Sequence, residues 1–337
     1  MSLNYHEISR FESRAKLMVS GEYLVLKGAL ALALPLKYGQ KLTVKVIEGE
    51  SMVYWQSRIK DKLWFYATFQ LPHFKVTDSN LPEISDTLSR ILIAAKELNP
   101  AFPALGQEYR VTSEMDFDPA WGIGSGSSLV SNIASWAECN PFELNRIIFK
   151  GSGYDIACAR SSHPIIYKTT DHTPSYHDAD FQPQFHENLY FVYLNRKQDT
   201  LKSISGLDLA SVSSGDTEAI SGLTLEMEKA ENLTCFQSLM NQHEEIISRI
   251  IRKTPVRQSS FGDFAGSVKS LGAWGGDFIL AAADASEEYV RNYFTHKNLT
   301  TIFKYSEIIL NRKFSEPDLS QTGSKEFTPQ VQNDKDR

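Results

Sequence analysis

The chain has 337 residues, 42% of them hydrophobic and 23% charged, the balance of a soluble globular protein with room for two packed domains. Its formal net charge of -6 argues against a general polyanion-binding surface, because nucleic-acid binders carry a basic face, but leaves room for a small basic pocket around one phosphorylated ligand. The three cysteines, Cys139, Cys158 and Cys235, are too widely spaced for a disulfide framework or a zinc site and fit a reducing compartment.

The first residues, Met1-Ser2-Leu3-Asn4-Tyr5-His6-Glu7, lack the basic, apolar and small-residue order of a secretory signal. The most apolar stretch, residues 29–36, is too short to span a bilayer, so a cytoplasmic protein is expected. Residues 16–26 read as a strand broken at Gly21-Glu22, and residues 41–47 alternate one face in and one face out. Residues 52–55 and 63–69 carry the aromatic and β-branched side chains of further strands. The period then changes: Ile84, Leu88, Ile91, Leu92 and Ala95 predict a helix over 84–98, and alternation returns over 107–117. A glycine-rich loop over 119–128 precedes a helix over 129–138, and Asn140-Pro141 opens another running to about 150. Residues 165–167 form a short strand. A second domain is expected to open with a strand at 189–194, followed by helices over 200–205, 217–232 and 235–253. Strands at 267–271 and 278–282, a helix at 286–296 and a closing strand at 300–305 complete it. The expected division is residues 1–185 and 186–310, with a polar, disordered tail over 311–337.

The loop reads Trp121-Gly122-Ile123-Gly124-Ser125-Gly126-Ser127-Ser128. Glycine lets a ligand approach the backbone, and a helix that follows directly points successive N–H groups at an anion. The hydroxyls of Ser127 and Ser128 can cap the helix or meet Mg²⁺ or a phosphate oxygen. A flexible linker before a helix is the alternative. No Gly-Lys-Ser/Thr follows, so this is not a Walker loop, and the spacing is not that of a dinucleotide fingerprint.

The pattern Gly-x-Gly-x-Gly-Ser-Ser before a helix resembles the second motif of the GHMP kinases, which include galactokinase, homoserine kinase, mevalonate kinase and phosphomevalonate kinase. Two further segments, in the right order, are similar to the family's other motifs. Ala15-Lys16-Leu17-Met18-Val19-Ser20-Gly21-Glu22-Tyr23 resembles the first, and Lys269-Ser270-Leu271-Gly272-Ala273-Trp274-Gly275-Gly276-Asp277 the third. Ala120 stands near the family's usual proline, Ser125 replaces a usual leucine, and Trp274 replaces a glycine. The resemblance implies an α+β fold with a two-domain GHMP kinase-like architecture. Its N-terminal domain would be ribosomal-protein-S5-domain-2-like and its C-terminal domain ferredoxin-like. It also implies ATP and Mg²⁺ as cofactors, with Gly122, Gly124, Ser125, Gly126, Ser127, Ser128, Gly272, Ala273, Gly275 and Gly276 at the nucleotide.

Phosphoryl transfer needs positioning, charge neutralisation and an acceptor for the proton of the attacking group. Asp155 lies between a glycine-containing turn and a small-residue helix, in Gly151-Ser152-Gly153-Tyr154-Asp155-Ile156-Ala157-Cys158. A first-turn helix aspartate is the structural alternative. The segment is similar to those carrying the family's catalytic aspartate, which implies a catalytic role for Asp155. Lys16 matches the lysine of the first motif, expected to hold Asp155 ionised and to stabilise charge on the attacking oxygen. Ser128 is the best metal ligand in the chain, with Glu143 as a second candidate near the place where mevalonate kinases put a metal-binding glutamate. Glu22 and Tyr23 of the first motif, and Lys197 and Lys202 in a strand, basic turn and helix similar to the acceptor-facing segment of mevalonate-type kinases, are expected at the substrate.

Gly21-Glu22-Tyr23, Lys269-Ser270 and Gly275-Gly276-Asp277 resemble the phosphomevalonate kinase branch. The expected function is transfer from ATP to phosphomevalonate or mevalonate in isoprenoid precursor synthesis, without a covalent enzyme intermediate. A GHMP kinase for another small alcohol or sugar is one alternative, and a non-catalytic nucleotide-binding regulator another. The expected partners are ATP and a small-molecule acceptor, with neither nucleic acid nor membrane; a homodimer is allowed.

Overall fold

A computed structural model describes residues 7–196 and 211–310. Two sheets organise them. The first strand, β1 (Glu7–Ser20), runs antiparallel along β2 (Ala31–Glu48). On its other edge, β2 carries β6 (Gln107–Met115) along residues 40–48 and β7 (Ile165–Thr170) along residues 31–33. Beyond β6 lie β3 (Met52–Ile59), β4 (Lys62–Gln70) and β5 (Lys75–Ser79), and beyond β7 lies β8 (Thr173–Asp178). The expected strands over 41–47, 52–55, 63–69 and 107–117 all fall in this eight-stranded sheet.

Two features escaped the periodicity. β1 begins at Glu7, not near Lys16, because its outer half is exposed and polar and pairs only with β2 among the described residues. β8 is an exposed edge strand with Pro174, His177 and Asp178, the composition that blunts sheet edges. The apolar run over 29–36 supplies the first half of β2, where Ala31, Leu32, Ala33, Leu34 and Leu36 are all buried.

Helix α1 (Pro82–Leu98) starts on a proline whose missing N–H costs nothing there. It buries Leu88, Ile91, Leu92 and Ala95 in one core with Trp55, Phe65, Phe69 and Val111 of the sheet. Each large side chain so buried contributes about 1.5–3 kcal/mol relative to exposure, so Leu92→Ala is the kind of change that would loosen it. Helices α2 (Ser125–Trp136) and α3 (Pro141–Phe149) pack beside it, and α4 (Tyr154–Ala159) lies against β1, β2 and β7.

The second sheet runs β10 (Ser267–Leu271), β11 (Phe278–Ala282), β9 (Leu189–Tyr193), β12 (Ile302–Lys304), with every neighbour antiparallel. In chain order that is second, third, first, fourth, the ferredoxin-like order. β9 and β11 are buried on both faces, which is why they read as continuous apolar runs. Leu189, Phe191 and Tyr193 face helices α5 (Ser214–Glu228) and α6 (Leu233–Ile251), while Tyr190 and Val192 face α7 (Glu287–His296). The core under α5 and α6 also contains Leu17, Val19, Leu32 and Leu34, so one apolar core joins the two sheets. The expected helix over 200–205 and the tail over 311–337 lie outside the described residues.

Candidate active site

The glycine-rich loop occupies the seam between the sheets. A single 3-10 turn, Pro119–Trp121, carries Trp121 into an aromatic cluster with Tyr38, Phe278 and Phe303. Tyr193, at the end of β9, donates to the Ala120 carbonyl at 2.8 Å. The second sheet therefore holds the loop at its entry.

Gly122 and Gly124 both adopt left-handed backbone, with φ of 71° and 102°. Gly124 is the N-cap of α2 and supplies no side-chain cap, so the first-turn N–H groups of Ser125, Gly126 and Ser127 have no capping side chain. Unpaired N–H groups at the positive end of a helix dipole are suited to an anion. The glycines also have packing reasons. A Cβ on Gly122 would overlap the Asp277 carboxylate, one on Gly124 would lie 3.3 Å from Lys16 Cγ and Cε, and one on Gly126 would lie 3.2 Å from the Phe149 ring.

Lys16 reaches the loop from β1. The β1–β2 register slips between Arg14 and Lys16, opposite Pro35 and Gly39, a bulge of the kind that re-aims a side chain. The Lys16 backbone N–H donates to the Ile123 carbonyl at 2.8 Å, and its ammonium donates to the Tyr154 hydroxyl at 2.8 Å. Burial alone would draw this ammonium down, but Tyr154 and Asp155, with Asp277 behind them, hold it above its ordinary value.

Asp155 is the second residue of α4. The turn before it is fixed at Gly153, where a Cβ would meet Phe142 and the Tyr167 hydroxyl, each at 3.1 Å. Burial pushes the Asp155 carboxyl up; Lys16, the backbone N–H groups of Asp155 and Ile156, and the Ser127 hydroxyl pull it back without cancelling the rise. Both Lys16 and Asp155 keep part of their surface open. The pair is thus a partly open cation and a carboxylate whose basicity exceeds that of a free one.

The third glycine segment, residues 272–277, forms the turn between β10 and β11. Gly272 faces open space, Gly275 is exposed, and Ala273, Trp274 and Gly276 are buried. Asp277 closes the turn: its N–H donates to the Arg196 carbonyl at 2.6 Å, its carbonyl accepts from Leu194 at 2.8 Å, and its carboxylate rests on Gly122.

Glu22 and Tyr23 sit behind this turn. Glu22 is buried between Lys269, to which it is ion-paired, and His243 at 3.1 Å. The Tyr23 hydroxyl accepts the Trp274 N–H at 2.8 Å. Two adjacent residues of the first motif therefore rivet the third. Lys269 of the third motif is fully buried on Glu22. Lys197 and Lys202 lie outside the described residues.

Ser128 is buried and donates to Gln40 Oε1 at 2.8 Å. Gln40 in turn donates to Ser113, and its carbonyl accepts from Asn132, a polar seam that fixes α2 on the sheet. Ser127 points the other way, to the Gly124 carbonyl and Asp155. Glu143 is exposed in the first turn of α3. Among the described residues no group of three or more His, Cys, Asp or Glu side chains could hold a metal. The donors fit a cation that arrives with the oxygens of a phosphate, not one caged by protein.

Sequence reasoning passed over Tyr154, Asp277 and Gln40. Tyr154 could have been found as the neighbour of Asp155, and Asp277 as the last residue of the third motif. A lone glutamine in a strand carries no signal.

No family model matches the chain, and no curated protein matches it in sequence. Its structure is similar to that of the Methanococcus jannaschii mevalonate kinase, with 15% identity, a TM-score of 0.63, and coverage of 91% of this chain and 99% of that one. It is similar to the Streptococcus pneumoniae phosphomevalonate kinase, solved with phosphomevalonate and AMPPNP, with 14% identity, a TM-score of 0.63 and coverage of 88% and 99%. The Lactococcus lactis galactokinase, solved with galactose, matches with 12% identity, a TM-score of 0.62 and coverage of 91% and 94%. The chain has the two-domain GHMP kinase fold. No helix among the described residues is long and apolar enough to cross a membrane.

Proposed function

We propose that the chain is an ATP-dependent small-molecule kinase of the GHMP family, acting in the cytoplasm on a mevalonate-type acceptor, phosphomevalonate or mevalonate, by direct in-line transfer. The observation that carries this reading is the course of Lys16. Its backbone is bonded to Ile123 of the glycine loop, its stem passes Gly124, and its ammonium ends at the hydroxyl of Tyr154, the residue before Asp155. One side chain thus ties the glycine loop to the helix that carries Asp155. Residues 1–185 would supply the glycine loop and Asp155, and residues 186–310 the third glycine turn.

MgATP, when bound, supplies the γ-phosphoryl group and the charge of the metal. The N–H groups of Ser125, Gly126 and Ser127 would hold phosphate oxygens, while Ser128, buried on Gln40, fixes the helix that presents them. Lys16 stabilises negative charge on the attacking oxygen, and Asp155 takes its proton when the acceptor is an alcohol. Direct transfer needs no covalent intermediate on the chain.

A second reading, a kinase for another small alcohol or sugar, is favoured by the burial of Lys269 on Glu22, which withdraws one cation from any phosphorylated acceptor. A coupled ADP-release assay over phosphomevalonate, mevalonate and galactose decides between them. ADP release with phosphomevalonate or mevalonate, lost in Asp155→Asn, is expected. Release with galactose alone transfers the assignment to the second reading. Full activity of Asp155→Asn removes the proposed chemistry.

A further inference from the structure

We infer that Tyr154 is a positioning residue whose hydroxyl fixes the Lys16 ammonium at the helix that carries Asp155. The inference rests on the kinase reading for its consequence in turnover, but not for its geometry. A lysine carries a flexible four-carbon stem and three donors, so its charge has no fixed place unless something holds it. Here the stem is confined where it passes Gly124, but this contact stops short of the ammonium. The ammonium donates to the Tyr154 oxygen at 2.8 Å, with the nitrogen 5.1 Å from the ring centroid.

The ring is itself held by packing. It packs with Phe142 on a small core of Met18, Val25, Ala157 and Cys158, and it begins the helix that carries Asp155. Consecutive residues of α4 therefore perform separate tasks on one lysine: Tyr154 accepts its hydrogen bond and Asp155 supplies opposite charge. A phenol oxygen that accepts from an ammonium favours the charged form. The titratable groups facing Lys16 are Tyr154, Asp155 and Cys158 from α4 and Asp277 from the third turn. Of these, Tyr154 alone can be stripped of one oxygen with the ring kept in place.

The test is Tyr154→Phe. On the free protein, Lys16 acylation by acetic anhydride is followed against pH by peptide mass spectrometry, with the exposed Lys41 and Lys62 as internal standards. Loss of the hydroxyl is expected to raise Lys16 labelling at pH 9 about tenfold, the effect of a one-unit fall in its pKa. In wild type, Lys16 is expected to label far more slowly than Lys41 and Lys62. Turnover, once an acceptor is in hand, is expected to fall 10- to 100-fold in kcat, with KM for ATP within about twofold. Lys16 labelling that is unchanged by the substitution, or as fast as that of Lys41 in wild type, would overturn the inference. The labelling needs neither nucleotide nor acceptor, so a failed kinase reading leaves it intact. Should Tyr154→Phe not fold, Lys16 labelling as fast as that of Lys41 in wild type still overturns the inference.

Discussion

The Asp277 carboxylate fills the space that a side chain on Gly122 would need, so the third glycine turn and the glycine loop before α2 meet at a carboxylate and a residue with no side chain. Gly122 also sits at a φ of 71°, where any other residue is strained. Gly122→Ala adds both penalties and should cost about 1–3 kcal/mol of stability, read by urea denaturation. It should also weaken binding of a fluorescent ATP analogue. Asp277→Ala in the same chain should recover the steric part and leave the backbone part. Equal losses in the single and double variants would mean that the contact carries no weight.

Behind that junction, Glu22, Lys269 and His243 are buried together, at 1%, 0% and 0% exposure. Removing one member leaves a charge with no partner in a dry interior, whereas removing both members of an ion pair does not. Glu22→Gln should therefore cost about 3–5 kcal/mol. Glu22→Leu combined with Lys269→Met should be close to wild type in stability, measured by denaturant midpoint. Tyr23→Phe, which takes away only the acceptor of the Trp274 N–H, should cost about 1–3 kcal/mol. A larger loss for Tyr23→Phe than for Glu22→Gln would reverse this ranking.

Glu244 shares the same interior. Burial pushes its carboxyl up to about 7, although Lys269 and the N–H groups of Ser270 and Val256 pull against that rise. The folded protein therefore holds a proton between about pH 4.5 and 7 that the unfolded chain has released. Stability from this group is full below about pH 4.5 and declines as pH rises through 7, by on the order of 3 kcal/mol. Glu22 runs the other way: Lys269 and His243 outweigh its burial and hold it below its ordinary value, so its contribution is lost on acidification. Glu244→Gln keeps an acceptor for Ser270 and should flatten the decline between pH 5 and 7, seen in Tm against pH. A slope unchanged by the substitution would assign the decline to another group.

The order of elements was legible because most strands and helices bury one face or two, and burial writes itself into the spacing of apolar residues. β11 shows this well: both faces are covered, and the predicted and observed residues coincide. The outer half of β1 and all of β8 were not legible, since an exposed edge strand has no face to mark. In the candidate site, Lys16, Asp155 and the two glycine turns could be picked out by residue type and order. What could not be read was which side chains they would meet. Tyr154 on Lys16, Asp277 on Gly122 and Gln40 on Ser128 join residues 88 to 155 positions apart in the chain, and such pairings are fixed only by the register of β1 on β2 and the packing of the two sheets.

Gly126 separates packing from ligand approach as reasons for a glycine. It lies inside the first turn of α2, where alanine would be favoured by about 1 kcal/mol on helix propensity. A Cβ there would meet the Phe149 ring of α3 at 3.2 Å, close enough that the ring must shift. Gly126→Ala alone should therefore be neutral or destabilising by up to about 1 kcal/mol, the propensity gain offset by strain. With Phe149→Leu the ring is gone, and the alanine should become a net gain of about 0.5–1 kcal/mol over Phe149→Leu by itself. The backbone N–H survives in both, so affinity for an ATP analogue should stay within about threefold if the helix start binds phosphate through its amides. A stable double variant that no longer binds the analogue would instead mean that the nucleotide approaches the α-carbon of Gly126 directly. The glycine would then be kept for the ligand as well as for Phe149.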